Sequence, residues 1–181
     1  MAAVQRAVAL SDSYHTNHIV LGYISLYQQQ YEHALAEMER AVALAPNEAL
    51  SYATLAVVLS HMGRTEDTLE AATQALRLKS EVADGHLADV GVAYTLVGRY
   101  EKARAPLQRY LSRYPNRLDI HLTLAVVYSE IGQAAEARAE AAEVLRLNPK
   151  FSLEVHRQRM PIKDPATLKR YITALRKAGL K

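Results

Sequence analysis

Small residues recur along this chain at an almost constant interval: Gly22, Ala56, Gly91 and Ala125 are separated by 34, 35 and 34 residues. A period of this length is the mark of a stack of helical hairpins, each too small to bury its own apolar face. A second set keeps the same beat, with Ala34, Thr68, Ala103 and Ala137. A third falls at the turns between units: Pro46, Ser80, Pro115 and Pro149. Within each unit the chain must also turn once, and Gly63, Gly98 and Gly132 mark that point in three copies, with Gln29 in the first. One small side chain on each helix of a hairpin lets the two backbones approach closely. These are signals of a scaffold and carry no chemistry of their own.

The period divides the chain into repeats at 15–48, 49–82, 84–117 and 118–151, with Ala83 as a single extra residue. Each unit reads as helix A, a short turn and helix B. In the fourth, Leu124, Ala125 and Tyr128 share one face of helix A, and Ala137, Ala141, Val144 and Leu145 share one face of helix B. Gly132 ends the first helix and Pro149 stops the second. Two positions depart from the pattern. Gln29 in place of glycine predicts a less sharp turn, and Pro106 inside a helix B predicts a kink.

The ends differ from the middle. Val4, Ala7, Val8 and Leu10 fall in register with Met38, Ala41, Val42 and Leu44, so residues 1–14 read as a half-repeat, a helix B without its helix A. An uncovered apolar face of this kind predicts a fragment of a longer protein, or self-association through Val4 and Val8. Residues 152–181 read as a linker and a capping helix. There Asp164 is a helix N-cap, Pro165 the first helical residue, and Gly179 the terminator. Leu168, Tyr171, Ile172 and Leu175 make one apolar stripe, whose burial contributes roughly 6–10 kcal/mol before ordering costs.

Half the residues are hydrophobic, ample for a core, and cysteine is absent, which excludes disulfides and thiolate chemistry. No apolar run approaches the roughly 18 residues of a membrane span, and the first six residues are too polar for a secretory signal. A cytoplasmic location without membrane contact is the expectation. The net charge of +3 is uneven: residues 157–181 carry +7 and the remainder −4. A basic tail points to contact with nucleic acid or acidic lipid, to docking on the chain's own acidic body, or to a solvated helix face. Tyr171 is its only aromatic residue, which argues against nucleic acid.

The spaced residues Val90-Gly91, Tyr94, Gly98, Tyr100, Ala103 and Pro115, and again Leu124-Ala125, Tyr128, Gly132, Ala137 and Pro149, resemble the tetratricopeptide repeat family. That resemblance implies an all-α, right-handed superhelix that binds proteins or peptides along its concave face. By the family's pattern that face holds Ile19, Tyr23, Tyr27, Val57, His61, Ala88, Val92, Leu96, Leu122 and Val126. Three readings stand for this strip: a groove for an apolar peptide, plain inter-helix core, or a bed for the chain's own tail. The basic clamp that some relatives use on acidic C-terminal peptides is missing, because Ile19, Tyr23, Thr54 and Asp119 occupy its positions. The tail, from Arg146 through Asp164-Pro165-Ala166 to Leu180, is similar to the C-terminus of bacterial proteins that join a class III nucleotide cyclase to such repeats. None of a cyclase's catalytic residues has a counterpart here.

No glycine-rich phosphate loop is present, and no cofactor or metal is expected. His15 and His18 share a helical face without a third ligand, which favours a structural role. His86, His121 and His156, each 35 residues apart, read as equivalent positions at the starts of successive A helices. The expectation is a non-catalytic interaction module.

Overall fold

The computed structural model describes residues 14–78 and 85–181. Residues 2–10, with Val4 and Val8, and the junction that holds Ser80 and Ala83 lie outside the described residues. The described residues form ten helices and no strand. Eight of them pair as hairpins: α1 (His15–Tyr27) with α2 (Tyr31–Leu44), α3 (Ala49–His61) with α4 (Thr65–Arg77), α5 (Gly85–Leu96) with α6 (Tyr100–Arg113), and α7 (Leu118–Glu130) with α8 (Ala134–Leu147). A short α9 (Leu153–Arg159) and a terminal α10 (Pro165–Lys177) follow.

Position in the stack explains why the two helices of a hairpin read so differently. A middle inner helix touches its own partner, the preceding hairpin and the next inner helix, and α7, the last, has the terminal α10 in place of a next one. In α7 every residue from Ile120 to Tyr128 is therefore buried. The outer α8 buries only Ala137, Ala141 and Val144, one face at helical spacing. Leu145, expected on that face, is 43% exposed, since it lies about 100° round the helix from Val144.

All four hairpin turns have one geometry. Gln29, Gly63, Gly98 and Gly132 adopt φ of 60°, 80°, 75° and 79°. The next residue's N–H then donates to the carbonyl five residues back, from Gln30 to Ser25 at 2.9 Å and from Arg64 to Leu59 at 3.0 Å. Arg99 to Tyr94 and Gln133 to Tyr128 repeat it, both at 2.8 Å. These bonds satisfy a helix-end carbonyl through a left-handed residue. The first turn is thus as sharp as the others, and Gln29 carries the backbone strain that glycine avoids elsewhere. α6 runs unbroken through Pro106.

Small residues set how closely the paired helices approach. A methyl group on Gly91 would stand 2.4 Å from Cγ of Leu107, and one on Gly22 would stand 2.7 Å from Cε of Met38. The equivalent positions of the other hairpins hold Ala56 with Ala72 and Ala125 with Ala141, all buried. Large side chains face glycine, and alanine faces alanine, so the summed volume is held nearly level.

The histidines resolve into separate roles. His18 Nδ1 meets Glu37 at 2.8 Å, and His121 Nδ1 meets Glu140 at 2.6 Å, each tying an inner helix to its outer partner. His121 and His18 are equivalent positions, 103 residues apart, whereas His86 is equivalent to Ile120. The 35-residue spacing of His86, His121 and His156 is therefore not the repeat. His156 belongs to α9, outside the hairpin stack.

The tail joins the main core through Tyr171, Ile172, Leu175 and Leu180. Asp164 caps α10, accepting from the N–H of Ala166 at 3.2 Å and of Thr167 at 2.9 Å. α10 packs on α7, covering the last inner helix. Donors of the tail, one a guanidinium and one a backbone amide, then reach open helix ends. Arg170 Nη2 donates to the carbonyl of Leu96, the last residue of α5, at 2.8 Å. The N–H of Lys163 donates to the carbonyl of His61, the last residue of α3, at 2.9 Å. Unpaired C-terminal carbonyls and the negative end of the helix dipole both favour such partners. The basic tail thus docks on its own chain.

Candidate functional site

Between the inner helices and the tail lies a cleft of about 510 Å³. Four inner helices supply its floor, and His156, Met160, Pro161 and Tyr171 supply one wall. Because the wall comes from the tail, the chain's own C-terminus shapes the concave face without filling it. A second groove of about 690 Å³ lies on the outer side, bordered by Leu35, Tyr52, Leu69 and Arg77.

Seven of the ten residues expected on the concave face line the cleft together: Tyr23, Tyr27, Val57, His61, Ala88, Val92 and Leu122. Tyr27, 68% exposed, stands at its mouth. The other three lie elsewhere. Ile19 is buried among α1, α2 and α3 as inter-helix core. Leu96 and Val126 are buried and border a small gap with Thr167, Arg170 and Tyr171 of the tail. Ile19 is thus inter-helix core and Leu96 and Val126 lie under the tail, while the other seven line an open cleft.

The cleft also holds polar groups that the repeat pattern does not reveal. Tyr23 Oη donates to Asp89 Oδ1 at 2.7 Å, across 66 residues of sequence. Burial pushes the Asp89 carboxyl up to about 6, against the opposing pull of the Tyr23 hydrogen bond and the nearby Arg117. Burial and the adjacent Asp89 also raise the Tyr23 hydroxyl well above its ordinary range. Arg117, just before α7, grips Asp119 with Nε at 3.0 Å and Nη2 at 2.7 Å. Its Nη1 bonds the hydroxyl of Tyr110, and the guanidinium carbon stands 5.3 Å from that ring's centre. Burial lowers His61 to about 4, so the ring is neutral near pH 7, its Nδ1–H donating to the Val57 carbonyl at 2.8 Å.

His156 adds an unsatisfied atom. Its ring lies 5.6 Å from that of Phe151 and 6.3 Å from that of Tyr171, and its buried Nε2 has no hydrogen-bond partner. Burial also lowers its pKa. One sequence signal pointed to this polar set. Asp89 interrupts the apolar run Leu87-Ala88-Asp89-Val90-Gly91-Val92, and an acid on an inner helix calls for an explanation. No such signal marked Arg117, Tyr110 or His156, which reach the cleft through tertiary packing. What the arrangement offers is recognition: apolar walls, aromatic edges and a few fixed polar groups. Among the described residues no helix is long and apolar enough to cross a membrane.

Comparison with known proteins agrees with this architecture. Two tetratricopeptide repeat profiles match the chain, one over residues 16–48 and one over residues 95–157, together more than half of it. No protein of curated function matches in sequence. Among solved structures, the type IV pilus biogenesis factor PilW is 16% identical, with a TM-score of 0.66 over 98% of this chain and 80% of its own. YrrB, a tetratricopeptide repeat protein with an unusual peptide-binding site, is 18% identical, with a TM-score of 0.57 over 97% and 90%. A thermophilic repeat protein of Thermus thermophilus is 24% identical, with a TM-score of 0.65 over 95% and 87%. At these identities the likeness is one of fold. With its four uniform hairpin turns, its small-residue contacts and these matches, the chain belongs to the tetratricopeptide repeat family.

Proposed function

We propose that this chain is a non-catalytic interaction module that binds a segment of a partner protein in the cleft between its inner helices and its tail. The observation that carries this reading is the convergence of seven residues from four inner helices on one cleft with apolar walls. YrrB, by its description, has a peptide-binding site, and the shared fold makes a peptide the natural ligand class here. The test is retention of short randomised peptide pools on the immobilised chain. Val92→Glu and Tyr27→Glu place charge on the cleft wall and mouth while leaving the Tyr23–Asp89 bond intact. Retention lost in both variants supports the reading. Retention unchanged in both, or none by the wild type, overturns it.

The similarity of the tail to that of repeat-bearing class III nucleotide cyclases supports a finer placement: the C-terminal regulatory part of a cytoplasmic bacterial signalling protein. In that setting the register of Val4 and Val8 with Met38 and Val42 favours a second role, homodimerisation, since class III active sites form between two chains. Light scattering across a concentration range checks it. A dimer abolished by Val4→Glu with Val8→Glu supports the second role, and a monomer throughout refutes it.

A further inference from the structure

Among the described residues the cleft holds one acid that no cation contacts directly. Arg117 and Asp119 hold each other through two hydrogen bonds, and a third guanidinium nitrogen is engaged by Tyr110. Burial keeps His61 neutral and lowers the pKa of His156. That leaves Asp89, whose one hydrogen bond among the described residues comes from the Tyr23 hydroxyl, although a carboxylate accepts about four. An ionised carboxylate on an inner helix, among Ala88, Val92 and Val57, is costly unless it is paired.

We infer that the cleft accepts a basic side chain, a lysine or arginine of the bound segment, with the Asp89 carboxylate as its counter-charge and Val92, Ala88 and Leu122 along its aliphatic stem. This inference rests on the peptide-binding reading above and names the residue class that the site selects. Long basic side chains lay their methylenes on apolar surface while the charged end seeks a partner. The rings of Tyr23 and Tyr27 add faces that attract cations. An acidic segment finds the reverse situation. Among the described residues the only guanidinium lining the cleft is engaged three ways, so a carboxylate entering it meets Asp89 without compensation. The raised Asp89 carboxyl agrees with this picture, since burial outweighs the pull of Arg117, which is not hydrogen-bonded to it.

The test uses the same immobilised chain with peptide pools of randomised flanks and one fixed central residue: lysine, arginine, norleucine or glutamate. Norleucine keeps the stem of lysine and removes its charge. The lysine and arginine pools are expected to be retained about tenfold or more above norleucine, the range of a hydrogen bond to a charged group. Asp89→Asn should erase that difference. Arg117→Gln, which releases Asp119 and makes the cleft more negative, should raise lysine retention further, with circular dichroism checking that each variant is folded. Norleucine or glutamate retained as well as lysine overturns the inference and leaves the peptide-binding reading intact. So does an Asp89→Asn variant that keeps the preference for lysine, or an Arg117→Gln variant that weakens it. If no pool is retained, the peptide-binding reading fails and this inference with it.

Discussion

Gly91 and Leu107 should behave as a single unit, such that one substitution reverses sign according to its partner. A methyl group on Gly91 would stand 2.4 Å from Cγ and 2.5 Å from Cδ2 of Leu107, far inside van der Waals contact. The obstacle is a branch point close to the backbone of α6, so either Leu107 or the helix must shift by about 1 Å. Overpacking of this kind costs about 1–3 kcal/mol, and alanine returns about 1 kcal/mol of helix propensity over glycine. With two carbons in clash the upper end applies, and Gly91→Ala should destabilise by about 2 kcal/mol. Leu107 is fully buried, and Leu107→Ala should cost about 2–5 kcal/mol through the cavity it leaves. In the double variant the clash is gone, the new methyl fills part of the cavity, and the propensity gain remains. Gly91→Ala should then stabilise by about 1 kcal/mol, recreating the alanine pair already present at Ala56 with Ala72 and Ala125 with Ala141. Urea unfolding of all four proteins, followed by circular dichroism, reads the cycle directly. Additivity within about 0.5 kcal/mol would refute the argument that volume is conserved across the hairpin. Gly22→Ala is the control: its contacts are with Met38, at 2.7 Å from Cε, 3.1 Å from Sδ and 3.2 Å from Cγ, an unbranched side chain that can readjust, so its net effect should be near zero.

Three further outcomes follow from single residues. Gln29→Gly relieves a left-handed backbone that costs roughly 1–2 kcal/mol, against about 0.4–1 kcal/mol of added unfolded-state entropy. A higher urea midpoint is therefore expected, and a lower one would show that the Gln29 side chain contributes more than its strain. Asp164→Ala removes the cap of α10 and should cost about 0.5–2 kcal/mol, with faster amide hydrogen exchange in residues 165–177 than in α7. Asp89→Asn tests linkage: the folded-state carboxyl is raised from 3.8 to about 6, so its contribution to stability is fully present below the lower value and lost as pH rises through the higher. Tyr23, Tyr27, His61, Arg117 and Asp119 face it in both proteins and largely cancel in the comparison. Wild type should lose stability relative to Asp89→Asn across that window, and parallel pH profiles would refute the assignment.

The repeat was legible in the sequence because its causes are local. Glycines at 63, 98 and 132 announce turns whose hydrogen bonds span five residues, and the alternation of apolar faces follows the helical period within each unit. Even the glycine and alanine at the helix contacts can be read from the period, since each faces a partner 16 residues onward in the same hairpin. Asp164 and Pro165 likewise declared the start of the last helix. The expectations that failed were those that compared residues without the fold. Gln29 was expected to loosen a turn that its neighbours in fact impose, and three histidines passed for equivalents because 35 is close to the repeat of 34.

The site was decided by contacts that no local pattern encodes. Tyr23 and Asp89 meet across 66 residues, and Lys163 Nζ reaches Glu32 at 3.1 Å across 131. Sequence alone determined that the chain is a stack of helical hairpins with a capped helix at its end. Only the tertiary structure decided that this end would return along the inner face, cover Leu96 and Val126, and leave Asp89 in a cleft whose lining guanidinium, Arg117, is bonded to Asp119 and Tyr110 instead. The physical reason is that a helix forms from hydrogen bonds between near neighbours. A cleft forms where distant surfaces fail to fill the space between them, and that depends on the whole stack.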